Sequence, residues 1–155
     1  MRKNYIYIYN NLIELTRNKN LYKDFNNQDI FSDRLTYFLM HLAFFFKAFK
    51  NKDNKIILQE IYDFCFRQLE LSIREIGYGD QSINKKMKDY INLFHEMIDK
   101  FHFWEKSDNH EKSKILKKFA TNCNNIPILL DYLEKYLKTL KKNTLNSYIK
   151  SVIKR

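Results

Sequence analysis

Hydrophobic and polar positions along this chain recur at three- and four-residue spacing, the period of one face of an α-helix. Six helical segments follow from that pattern. The first covers roughly residues 5–17, and a polar stretch with Asn26, Asn27 and Asp29 comes after it. The second, roughly 32–50, is apolar on nearly every side: Leu35, Phe38, Leu39, Leu42, Phe45, Phe46 and Phe49, with Tyr37, Met40 and Phe44 between them. A helix that is apolar all round is a central, buried one. Ser32 or Asp33 can cap its start. The third, roughly 54–76, carries a stripe of Leu58, Ile61, Cys65, Leu69 and Ile76, widened by Phe64 and Phe66. The fourth, roughly 82–104, repeats Met87, Tyr90, Ile91, Phe94, Met97, Ile98 and Phe101. The fifth is roughly 110–121. The sixth runs unbroken over roughly 126–153, with Pro127 in its first turn, where a missing N–H costs nothing, and Leu130, Leu133, Leu137 and Leu140 on its apolar face.

The pattern predicts an all-α fold, a single compact bundle of about six helices with a buried second helix. Residues 1–125 are expected to form the main helical domain, and residues 126–155 a basic C-terminal helix packed on it. The 155 residues suffice to bury a core without disulfide or metal staples. Two glycines and one proline are too few for the tight turns of a strand-rich protein. Cys65 and Cys123 form no CxxC pair and are expected as reduced, buried thiols in helices.

Composition adds a basic balance: net charge +10 and a pI near 9.5. That favours anionic partners such as RNA, ribosomes or acidic lipid surfaces. An AT-rich genome would produce the same excess of Lys, Asn and Ile with no function attached, so charge alone does not choose. Met1-Arg2-Lys3 is basic, but no apolar signal core follows. The strongest apolar run, Leu35 to Phe46, is interrupted by His41 and is shorter than the roughly 20 residues of a membrane span. A cytoplasmic protein is expected, with peripheral contact to an acidic membrane surface left open.

Both glycines fall in one segment, Arg74-Glu75-Ile76-Gly77-Tyr78-Gly79-Asp80. Gly77 follows the last stripe residue of the third helix, where a left-handed residue is expected. Gly79 allows a second tight turn, and Asp80 or Ser82 can cap the fourth helix. An interhelical turn accounts for the glycines fully. It does not account for Lys85, Lys86 and Lys88, because cations in the first turns of a helix oppose its dipole. Lysines beside free N–H groups make an anion-binding end; a solvated lysine face is the alternative.

At these residues the chain resembles the ubiquinol–cytochrome c chaperone family. The likeness rests on Arg74, Glu75, Gly77, Gly79 and Asp80, followed by Lys85-Lys86-Met87-Lys88. It extends to Tyr9 through Leu12, Arg17, Tyr22, Asp29, Arg34, the Leu39-Met40-His41 step, Asp63, Phe66 and, loosely, Lys118 to Asn122. It covers most of residues 7–125, and the tail beyond about Pro127 has no counterpart. Where the family often has Gly-Arg, this chain has Glu96-Met97. The resemblance implies an assembly chaperone that binds newly made cytochrome b near the ribosome or the inner membrane, in a bacterial cytoplasm or an organelle matrix. It implies as further partners the ribosome or its RNA, a small helical partner subunit and an acidic membrane surface. Arg34, His41, Asp63, Arg74, Glu75, Gly77, Gly79, Asp80, Lys85, Lys86, Met87 and Lys88 are the candidate motif and partner-binding residues. A basic ribosome- or RNA-binding module without a cytochrome b client is the competing reading.

Other motifs carry less. His95-Glu96 begins like a zinc-protease motif, but Asp99 stands where the second histidine belongs. His95, Asp99 and His102 can share a helix face as metal ligands, although polar flanking of an apolar stripe is the commoner case. His41 can be read as a haem ligand or as a core histidine hydrogen-bonded to a neighbour, and the second is preferred. No phosphate loop, nucleophile elbow or carboxylate pair is visible. Neither an enzyme nor a cofactor site is expected.

Overall fold

A computed structural model describes residues 5–18, 21 and 31–153. Met1–Lys3, Tyr22, Asn26, Asn27 and Asp29 lie outside the described residues. Seven helices occur among the described residues: α1 (Tyr5–Thr16), α2 (Phe31–Phe49), α3 (Lys55–Ile76), α4 (Asp80–Phe101), α5 (Asn109–Phe119), α6 (Ile126–Lys141) and α7 (Leu145–Ile153), with a 3₁₀ turn at Trp104–Lys106.

Helix α2 is the hub. Every residue from Tyr37 to Phe45 is buried, as its all-round apolar pattern requires, and it packs on α1, α4 and α6. Its rings reach four neighbours: Phe38 meets Tyr9 of α1 at 5.5 Å, Phe44 stacks on Phe101 of α4 at 4.6 Å and meets Trp104 edge-on at 5.2 Å, and Phe45 meets Tyr148 of α7 at 5.5 Å. Contacts at these spacings suit aromatic pairs. Most of the aromatic richness is spent on this core; among the described rings only Tyr7, Tyr78 and Phe103 are markedly exposed.

The predicted sixth helix is two helices. Lys142–Thr144 breaks it, and α7 begins on a reciprocal cap: Ser147 N–H donates to Thr144 Oγ1 at 3.1 Å, and Thr144 N–H donates to Ser147 Oγ at 2.9 Å. The break returns Leu145, Tyr148 and Val152 to the core, where α7 packs on α1. Tyr148 Oη donates to Asn11 of α1. A straight helix would carry these side chains past the bundle.

Two other expectations need correcting. Neither Ser32 nor Asp33 caps α2, which starts at Phe31. The Asp33 carboxylate instead accepts from Asn122 Nδ2 at 3.0 and 3.2 Å, tying the α5–α6 connection to the start of α2. Cys65 is buried in α3, with its thiol pushed up to about 12 by burial, but Cys123 lies in the α5–α6 connection and is half-buried.

Candidate functional site

The α3–α4 turn forms from local backbone chemistry. Gly77 has φ +104°, the left-handed conformation expected there, and its N–H donates to the Arg74 carbonyl at 3.0 Å. Gly79 differs from expectation: its φ of −72° and ψ of 163° are ordinary extended backbone, open to any residue. Asp80 and Ser82 make no side-chain cap. The Asp80 carboxylate pairs with Arg74 Nη1 at 2.8 Å and so bridges the last turn of α3 and the first turn of α4. Asp80 also supplies negative charge at the positive end of the α4 dipole, which partly offsets the lysines that follow.

The motif residues divide between surface and core. Arg74, Glu75, Gly77, Gly79, Asp80, Lys85 and Lys88 are exposed, and Lys86 lies half-buried with its Nζ 4.5 Å from the Tyr78 ring centre. Leu71, Ile76 and Tyr78 are exposed beside them at 46, 53 and 41%. Large apolar side chains and cations therefore share this end of the hairpin. Met87 does not: with Ile83, Phe94 and Met97 it lies on the buried face of α4. Asp63 is exposed on α3 and accepts from Gln59 Nε2 at 3.1 Å. At the positions of the family's Gly-Arg pair, Met97 is buried and Glu96 pairs with Lys118 at 2.5 Å.

His41 is a core residue, 1% exposed. Its Nδ1 lies 2.7 Å from the Tyr37 carbonyl and its Nε2 lies 2.6 Å from Tyr132 Oη. A carbonyl only accepts, so Nδ1 carries the proton and the tyrosine hydroxyl donates to Nε2. Burial lowers the His41 pKa to about 4, against a smaller opposing effect of the Tyr37 hydrogen bond. Tyr136 packs on the ring at 5.0 Å. Both ring nitrogens are engaged, which leaves neither for haem or an external partner. Its partners lie on α2 itself and on α6, not around Arg34. Arg34 shares the α2 face by its spacing, is half-buried, and lies over the Phe31 ring at 5.9 Å.

A groove that the sequence pattern does not announce opens at the other end of the hairpin, roughly 30 Å from the turn at 1.5 Å per residue from Lys55 to Ile76. Its volume is about 1030 Å³. Helix α2 contributes Ala43, Phe46 and Lys47; the α2–α3 connection contributes Lys50, Asn51 and Lys52; α3 contributes Lys55, Leu58, Gln59 and Tyr62; and α4 contributes Phe94, His95, Ile98 and Phe101, with His102 beyond its end. His95 sits 3.2 Å from Tyr62 Oη, and no group of three or more metal-ligating side chains converges among the described residues. Lys47 is held by Glu105 at 2.6 Å. Partial burial raises the Glu105 pKa, but its bonds to Lys141 and Lys47 outweigh that and hold it at about 2. The one sequence signal for this groove is the basic run Lys50-Asn51-Lys52-Asp53-Asn54-Lys55 between two aromatic helices.

The chain is an all-α bundle centred on a buried aromatic helix, with a charged hairpin turn at one end and an apolar groove at the other. The ubiquinol–cytochrome C chaperone family matches residues 23–149, and the chain belongs to that family, which places it among the assembly chaperones of ubiquinol–cytochrome c reductase. The match includes α6 and part of α7, for which the sequence pattern showed no counterpart, and leaves out α1. The crystal structure of the Cbp3 homolog from Brucella abortus has the same fold, with a TM-score of 0.74 and 21% identity, over 95% of this chain and 85% of that one. Comparison with curated proteins gave no match. No helix among the described residues is long and apolar enough to cross a membrane.

Proposed function

We propose that this protein holds newly made cytochrome b during assembly of ubiquinol–cytochrome c reductase, near the ribosome or the inner membrane. The observation that carries the reading is family membership over residues 23–149. The turn supports a location for the client. Leu71, Ile76 and Tyr78 are exposed there, and an unassembled membrane protein offers apolar helices for such side chains to cover. Lys85 and Lys88, exposed beside them, suit the phosphates of ribosomal RNA. A small helical partner subunit would compete for or extend the same surface.

The test is capture of nascent cytochrome b by the full chain. A Cβ on Gly77 would meet no atom within 4 Å, but its φ of +104° is strained for any L side chain. Gly77→Val therefore alters the turn angle without a clash and should reduce capture. Equal capture by a folded Gly77→Val variant removes the turn from the mechanism. Failure of the wild type to capture cytochrome b removes the client, and retained ribosome binding in that case favours the basic ribosome- or RNA-binding module.

A further inference from the structure

The groove at the open end of the α3–α4 hairpin has a charge pattern that an apolar protein client does not require. Its lining is mostly apolar, with Phe46, Tyr62 and Phe94 in it, and includes the exposed Lys50, Lys52 and Lys55. Asp53 is the only acid among residues 50–55. Glu105 already neutralises Lys47, but among the described residues Lys50, Lys52 and Lys55 make no ion pair. Lys55 opens α3, whose first turn has no acid and whose Asn54 makes no side-chain cap. That lysine stands at the positive end of the helix dipole, with Asp53 the one acid flanking it.

Two further residues mark the same end. Ile56 and Phe103 are the most exposed large apolar side chains described, at 73 and 62%. Each directly follows a lining residue, Lys55 and His102. Lys47 Nζ donates to the His102 carbonyl at 2.9 Å, which holds that segment against the end of α2. Cations interspersed with exposed apolar side chains are the pattern of an interfacial surface. The groove volume of about 1030 Å³ is at the upper end of the roughly 300–1,000 Å³ of small-ligand cavities.

We propose that this groove binds an anionic phospholipid of a bilayer, with the headgroup phosphate on Lys50, Lys52 and Lys55 and an acyl chain between the aromatic walls. Ile56 and Phe103 enter the interface beside it. An acidic polypeptide would satisfy the lysines but would leave both exposed apolar side chains without a role. The site is at the opposite end of the hairpin from the turn assigned to the client, so it does not rest on the cytochrome b reading.

The test uses the full chain with vesicles of phosphatidylcholine alone or mixed with phosphatidylglycerol. Co-sedimentation is expected only with phosphatidylglycerol present. Replacing Lys50, Lys52 and Lys55 together by glutamine should weaken it about tenfold or more, while the same change at Lys85, Lys86 and Lys88 should weaken it far less. Equal losses from the two triple variants, or a loss confined to the second, overturn the site. Trp104 is the only tryptophan, and its ring lies 5.6 Å from that of Phe101, a groove residue. Phosphatidylglycerol brominated along its acyl chain should quench Trp104 fluorescence. Binding without quenching is surface adsorption and overturns acyl insertion. Absence of binding to either vesicle overturns the proposal, and binding of polyglutamate in that case identifies an acidic polypeptide as the occupant.

Discussion

At His41, burial decides the charge state. The folded pKa of about 4 lies below the ordinary value near 6.5. The unfolded chain therefore takes up a proton between these values that the folded chain refuses, and stability falls as pH drops through that window. The loss is fully present below about pH 4 and absent above about pH 7, and reaches up to about 3 kcal/mol at 1.36 kcal/mol per pKa unit. Urea unfolding of wild type and His41→Gln at pH 7 and pH 4.5 should show the steeper loss in the wild type. Parallel behaviour would clear His41 of the effect. The two glycines give a second contrast. Gly77→Ala places a Cβ on left-handed backbone and should cost about 1–2 kcal/mol. Gly79→Ala, on extended backbone with open space around it, should stay within about 0.5 kcal/mol. Urea midpoints read both.

At the level of elements, α7 depends on a cap that α6 does not share. The Thr144–Ser147 exchange starts α7, whereas α6 starts on Asn125, whose side chain accepts from Ile128 N–H at 3.3 Å. Thr144→Ala should cost about 1 kcal/mol and speed amide exchange in α7 while leaving α6 and α2 protected. Uniform loss of protection across α6 and α7 would show that the two behave as one unit. In α5 the same logic is visible in Asp108, which accepts from Glu111 N–H at 2.8 Å, and Lys112 fixes that helix to α6 through Glu134 at 2.6 Å.

Across the whole molecule, lysines stand at both ends of the α3–α4 hairpin, Lys85, Lys86 and Lys88 near the turn and Lys50, Lys52 and Lys55 at the groove. Because α4 starts at Asp80, Lys85, Lys86 and Lys88 lie past the first turn where the helix dipole acts, so replacing each by glutamine should change stability by no more than about 0.5 kcal/mol. If the proposed ribosome contact uses these lysines, ribosome co-sedimentation of the triple variant weakens and its salt dependence becomes shallower, because fewer counterions are released. Unchanged ribosome binding would remove these lysines from the contact. Glu105 joins Lys47 of α2 and Lys141 of α6 through the 3₁₀ turn. It thus closes the bundle at the groove end and pairs one groove lysine within the fold.

Much of this is legible in the amino-acid sequence. The helical class, the buried α2 and the left-handed Gly77 follow from periodicity and backbone sterics, which act within a few residues. The motif from Arg74 to Lys88 and its family resemblance were equally local. The inward positions of Met87, in the apolar stripe of α4, and of His41, read as a core histidine, were legible as well; the partner of His41 was not, because Tyr132 lies 91 residues from it. The break at Lys142–Thr144 also escaped the pattern: polar residues at a helix surface become a cap only when Leu145, Tyr148 and Val152 have α1 and α2 to return to. The groove belongs to tertiary structure alone. Its walls come from segments spread over residues 43–102, and no local run of side chains encodes how α2, α3 and α4 come together around that space.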